Sequence, residues 1–213
     1  MVQVCGSKNG TSLLCGLMVG GFSLSALGAW NGAGSPGGAG TDINDTNNWT
    51  SGIISGDFRA IRSNATLRLT SDFTFTNGVD FSTENPDIVR HLVIEGTNKL
   101  TLGNNYLPGY NPSYNRNLFL ASNVYCTVTL SKGLKLDMPG TRVFTGNGVL
   151  FIDALITGAG GFQTGFAGGH NPLIVLRNDA NSFAGDIGYD QGNLHYSSIA
   201  NKAVPSALGA GNK

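Results

Sequence analysis

Between residues 57 and 152 the chain alternates apolar and polar positions with a period of two. Leu67 and Leu69 fall on one face, with Arg68 and Thr70 on the other, and Phe73 and Phe75 continue with threonines between them. The same spacing recurs at Leu92 and Ile94, Leu100 and Leu102, Leu118 and Leu120, then Val124, Cys126, Val128 and Leu130, then Leu134 and Leu136, then Val149 and Phe151. Successive side chains on a strand point to opposite faces, so this pattern predicts strands with one buried and one wet side. Asn77-Gly78, Gly96-Thr97-Asn98, Gly103-Asn104-Asn105, Lys132-Gly133 and Gly146-Asn147-Gly148 separate the runs with turn chemistry. Inward pairs recur about every 20 to 26 positions, the length of one coil in a winding β-chain. No 3.6-residue apolar period is sustained, and 32 glycines with seven prolines disfavour long helices. The expected class is all-β.

The last quarter is more regular still. Leu173-Ile174-Val175-Leu176 is a compact apolar run, residues 177–182 form a turn cluster, and 183–187 return to strand character. Residues 188–192 turn again, and Asn193-Leu194-His195-Tyr196 is another strand. Glycine supplies positive φ at tight corners, and Asn and Asp tolerate the left-handed region better than other residues. The pieces Ile156-Thr157-Gly158-Ala159-Gly160-Gly161-Phe162, Ile174-Val175-Leu176, Asn181-Ser182-Phe183-Ala184-Gly185-Asp186-Ile187, Gly192-Asn193-Leu194 and Ala207-Leu208-Gly209-Ala210-Gly211 follow one another in a fixed order. In that order they resemble the autotransporter-associated β-strand repeat of bacterial surface proteins. The likeness covers one repeat in detail and the rest of the chain in style.

The resemblance implies a right-handed, single-stranded parallel β-helix (solenoid) over residues 57–213, in a secreted or surface-displayed passenger associated with the outer membrane, and no shared enzymatic activity. It implies structural roles for Gly158, Gly160, Asn181, Phe183, Gly185, Gly192 and Leu194. Family members usually begin another strand where this chain reaches Lys213, so the repeat region is expected to belong to a longer array.

Residues 1–28 read as a secretory signal. Lys8 precedes the apolar run Leu13-Leu14-Cys15-Gly16-Leu17-Met18-Val19, and Ala26-x-Gly28 places small residues at a cleavage position. The run is too short and glycine-rich for a membrane span. Residues 29–56 form a loop-rich N-terminal cap with Trp30 and Trp49, two rings suited to covering the end of a β-stack. Aromatic platforms for sugar are the competing reading. Gly37-Gly38-Ala39-Gly40-Thr41-Asp42 matches part of a calcium-binding nonapeptide, but it occurs once and Asn44 stands where an apolar residue is needed, so a glycine loop is expected. Cys5 and Cys15 would leave with the signal, and Cys126 alternates as a core thiol.

A formal net charge of +0 with 12% charged residues argues against nucleic-acid and anionic-membrane partners. His91, His170 and His195 are scattered, without metal-ligand spacing. No nucleophile elbow or phosphate-binding loop occurs. Parallel β-helices also host pectate lyases and polygalacturonases, which need acids clustered on adjacent coils. Here Asp137, Asp153, Asp179, Asp186 and Asp190 fall mostly at expected turns, though Asp179, Asp186 and Asp190 could converge. The expectation is a non-enzymatic structural module with no catalytic residue, metal or cofactor. A carbohydrate-active β-helix enzyme is the alternative, and a partial gene product that cannot stand alone is a third reading. Contact with host or cell-surface molecules or glycans is expected at Tyr106, Tyr110 and Tyr114, on an irregular, proline-bearing segment long enough to carry function. Oligomeric state is left open.

Overall fold

The computed structural model describes residues 28–38, 40–82, 87–103, 118–119, 126–165, 171–201 and 203–211. The predicted signal up to residue 27, the three tyrosines of the contact segment and His170 lie outside them. Among the described residues, regular structure is strand apart from two single-turn 3₁₀ segments, Thr46–Asn48 and Thr50–Gly52. The all-β expectation holds.

Among the described residues, fifteen strands, numbered in chain order, form three parallel sheets. Sheet I holds β1 (Ala65–Leu69), β4 (Arg90–Gly96), β7 (Cys126–Leu130), β10 (Val149–Ile152), β13 (Leu173–Leu176) and β15 (Asn193–Tyr196), in that order. Sheet II holds β2 (Phe73–Phe75), β5 (Lys99–Leu102), β8 (Lys135–Asp137) and β11 (Leu155–Thr157). Sheet III holds β3 (Val79–Asp80), β6 (Leu118–Phe119), β9 (Arg142–Thr145), β12 (Phe162–Thr164) and β14 (Ile187–Tyr189). From β1 to β12 the chain visits I, II and III in strict rotation, and after β13 it passes to III and back to I.

Register explains why the strands sit where they do. In sheet I, Ala65, Leu92, Val128, Leu150, Ile174 and Leu194 lie directly over one another, as do Leu67, Ile94, Leu130, Ile152 and Leu176. Sheet II adds Phe73, Leu100, Leu136 and Ile156. A one-residue slip in any strand would turn its apolar set to solvent, so burial itself fixes the register. Burying each aliphatic side chain contributes about 1.5–3 kcal/mol before chain entropy is subtracted. The step from Leu92 to Val128 is longer than the expected coil, because the tyrosine- and proline-bearing segment falls within it.

Two expectations need correction. In β10 the inward residues are Leu150 and Ile152, both fully buried, whereas Val149 and Phe151 are only partly buried. All four residues are apolar, so alternation is silent there and the pairing with Val128 and Leu130 sets the phase. The outward Phe151 ring is covered instead by the Arg177 guanidinium, 4.4 Å from its centroid. Residues 183–186 are not strand. They follow the coil beneath through single bonds, Ser182 N–H to Ile156 O (2.9 Å) and Ala184 N–H to Gly158 O (3.0 Å).

At the N-terminal end, Trp30, Trp49, Phe58, Phe75 and Phe81 form one buried ring cluster, with Trp30 and Trp49 edge-on at 5.1 Å and Phe58 stacked on Phe81 at 5.2 Å. Each indole N–H finds a carbonyl, Ala33 O at 3.0 Å and Ile43 O at 2.9 Å. Neither tryptophan leaves a face open for a sugar.

Candidate functional site

The residues singled out by the repeat resemblance lie between the strands from β11 to β15, except Leu194, which is on β15. Asn181 is fully buried between two of them: its Oδ1 accepts from Ile156 N–H (2.8 Å) and its Nδ2 donates to Ala207 O (3.0 Å). One side chain thus satisfies a backbone donor beneath and an acceptor above, groups whose burial unpaired would be costly. Phe183 is buried against Phe162, which itself stacks on Phe144 at 5.2 Å. A Cβ on Gly158, whose φ is +109°, would overlap the Met138 carbonyl, and one on Gly192, whose φ is +95°, would overlap that of Pro172. Glycine is needed at both for conformation and for close approach of coils. Gly160 and Gly185 lie equally close to the backbone of Gly140 and Gly161. Leu194, in the first column of sheet I, is half-buried and packs on the core.

Corner amides and carboxylates repeat this bridging along the molecule. Asn44 Oδ1 accepts from Thr70 and Ser71 N–H, Asn64 Oδ1 from His91 N–H, and Asp72 Oδ1 from Lys99 N–H, each across one coil. Asn98 Nδ2 donates to Leu69 O and Asn178 Nδ2 to Asp153 O.

The acids do not converge. Asp137 lies on β8 between Thr101 and Thr157, and Asp153 is held by a two-pronged bond from Arg177 at 2.6 and 2.8 Å. Asp179 accepts 2.6 Å bonds from Ser197 and Ser198, which hold its carboxyl below the usual range, so it is a carboxylate at neutral pH. Asp186 and Asp190 flank β14, about 13 Å apart along the strand. Among the described residues no three His, Cys, Asp or Glu side chains group to hold a metal ion. His91 and His195 are exposed on strands of sheet I, and His91 Nε2 lies 2.9 Å from Thr129 Oγ1.

A buried polar cluster was not anticipated. Arg90 is 2% exposed, and its fork donates to the carbonyls of Phe58 (3.2 Å), Ile61, Phe81 and Ser82 (2.8 Å), tying β4 to the coil carrying the rings. Cys126, directly over Arg90 in register, donates its thiol to Ile88 O at 3.5 Å. Burial pushes the thiol up by more than the guanidinium pulls it down, so it is a protonated core group and a poor nucleophile. Burial likewise raises the Asp80 carboxyl, against smaller lowering by its bonds to Ser82 and by Arg59. The signal was available: Arg90 sits two residues before Leu92 on the inward face.

On the outside, the corner between sheets I and II carries an open groove of about 450 Å³, lined by Arg68, Thr70, Glu95, Thr97, Asn98 and Lys132 among others. The Arg68–Glu95 pair at 2.9 Å crosses it. Ligand pockets usually enclose their occupant, whereas this groove is open and edged by charged and polar side chains. No protein-family model matches the chain, and neither a curated protein nor a solved structure does. The functional reading therefore rests on the chain's own residues.

Proposed function

We propose that the chain is a right-handed parallel β-helix acting as a secreted or surface-displayed structural module of the autotransporter or adhesin kind, and not as an enzyme. One observation carries this reading: the chain passes through three parallel sheets in rotation while its inward apolar places stack in register. Parallel crossovers within a sheet are right-handed in about 98% of cases, which supports the hand. The turn built from Gly158, Asn181 and Phe183, and the separate turn at Gly192, support kinship with the surface-protein repeat, since Asn181 bridges neighbouring backbone and the two glycines allow its close approach. A weakly charged elongated surface serves contact with host or cell-surface molecules or glycans, with Tyr106, Tyr110 and Tyr114 as the contact segment.

The test is delivery. An epitope-tagged 213-residue chain produced in a Gram-negative host should reach the cell surface or the medium with its N-terminus at Ala29 or Trp30, read by N-terminal sequencing after protease shaving of intact cells. Uncleaved protein confined to the cytoplasm would defeat the proposal. So would turnover of pectin or related polysaccharides that is abolished by Asp186→Asn or Asp190→Asn.

A further inference from the structure

We propose that the corner between sheets I and II binds an acidic polysaccharide, a polyuronate whose carboxylates meet Lys99, Lys132 and Lys135. Binding of this kind does not depend on how the chain is delivered, and it uses residues other than the tyrosine-bearing segment.

The three lysines of the described residues all lie at this corner, on two neighbouring coils. Each is exposed, and none has a carboxylate within ion-pair distance among the described residues. Most other cations have partners: Arg59, Arg68 and Arg177 are ion-paired, and Arg90 and Arg142 donate from the interior to backbone carbonyls. Arg62, exposed ahead of β1, is the remaining described cation.

The clustering follows from how the two coils pack. Lys99 and Lys135 are register partners on β5 and β8, so their Cα atoms are about 4.8 Å apart. Both side chains point outward, opposite to the buried Leu100 and Leu136 that follow them. Gly96 (φ +144°) and Gly133 (φ +117°) turn one coil directly over the other, and a Cβ on Gly133 would stand 3.0 Å from Gly96 O. A bond from Lys135 N–H to Asn98 O (3.1 Å) ties the two turns together. Lys132, beside Gly133, lines the open groove with Thr97, Asn98 and Ser131.

Like charges directly opposed on neighbouring strands are unfavourable, and an anion laid across both lysines turns that repulsion into attraction. Of the acids around them, Asp72 accepts Lys99 N–H through Oδ1 at 2.7 Å, and Glu95 is held by Arg68 at 2.9 Å. Asp137, two residues past Lys135 on the same outward face, bounds the cationic patch. A groove open along the surface admits a polymer without threading its end, and the hydroxyls and amide of Thr97, Ser131 and Asn98 suit sugar hydroxyls. A hexuronate residue is about as long as the coil spacing, so one carboxylate per sugar matches one lysine per coil. Single-stranded nucleic acid calls for aromatic stacking platforms, and an anionic membrane for apolar side chains that insert beside the lysines. The groove lining has no aromatic residue, and Leu69 is its one large apolar side chain and is buried.

Exposed charges each contribute modestly, so a Kd of roughly 0.1–1 mM is expected for an oligogalacturonate. Nuclear magnetic resonance titration of the isotope-labelled 213-residue chain should move the amides of Thr97, Asn98, Lys132 and Gly133. The Kd should rise with salt, since exposed charges are screened over about 10 Å at 0.1 M. The methyl-esterified oligomer, the same sugars without charge, should bind at least about tenfold more weakly. Lys99→Gln combined with Lys135→Gln should weaken binding at least about fivefold with the melting temperature kept. Asp137→Asn should tighten it about twofold, a gain that loss of a structural contact would not produce. No movement of those amides, equal binding of the methyl ester, or an unchanged Kd in the double variant would each overturn the proposal. So would tighter binding of single-stranded DNA or of phosphatidylserine vesicles.

Discussion

Sheets I and III line the same interior with different chemistry. The inward face of sheet I carries two aliphatic columns, Leu92, Val128, Leu150 and Ile174 beside Leu67, Ile94, Leu130, Ile152 and Leu176, all at most 1% exposed, with Arg90 and Cys126 as its buried polar pair on β4 and β7. Sheet III buries polar groups on both faces: Arg142 and Thr164 share the inward face with Phe144 and Phe162, while Asp80 and Thr145 are buried on the opposite face. Arg142 Nε donates to Leu102 O (2.8 Å) and Nη1 to Thr141 O (2.9 Å), while its Nη2 and the Thr145 and Thr164 hydroxyls have no hydrogen-bond partner among the described residues. The difference teaches where stability and where specificity reside. Repeating aliphatics supply free energy and leave the register to burial. Buried polar groups add little net energy but penalise any arrangement that leaves their partners behind.

Three substitutions break or sharpen this contrast. The largest effect is expected from Ile152→Ala in the second column of sheet I, where the cavity falls between Leu130 and Leu176. Denaturant titration should record a loss of about 2–5 kcal/mol. Next comes Asn181→Ala, which strands the Ile156 N–H and the Ala207 carbonyl in the interior. A loss of about 1–3 kcal/mol is expected, with hydrogen exchange fastest at Ile156. The smallest is Thr164→Val in sheet III. Removing a buried hydroxyl that bonds to no described residue should leave stability within about 1 kcal/mol of the parent or raise it. A loss as large as that of Ile152→Ala would show that the two sheets do not differ as described.

The alternation of apolar and polar residues made β1, β4, β5, β7 and β8 legible, because their outward positions carry Arg68, Thr66, His91, Thr101, Thr127 or Lys135. It was mute in β10, where both faces are apolar and only neighbouring strands decide the phase. A turn at residues 177–182 was legible from its Asn and Asp residues, whereas the bridging role of Asn181 depends on Ile156 and Ala207, far along the chain. Arg90 was not read as interior, although the period placed it there. A charge signals solvent in a sequence, and the four carbonyls that reverse this come from loop residues, two of them, on Phe58 and Ile61, distant along the chain. The absence of strand at 183–186 was hidden for a related reason. Its bonds to the coil below are real but carry no periodic signature.

The chain's two tryptophans, Trp30 and Trp49, share one cluster at one end of the stack, and no other tryptophan lies anywhere else in the 213 residues. Intrinsic indole fluorescence is therefore a local gauge, while far-ultraviolet dichroism averages every coil. Recorded together during melting, the two signals would report whether the ring cluster and the rest of the sheets are lost in one step or in succession.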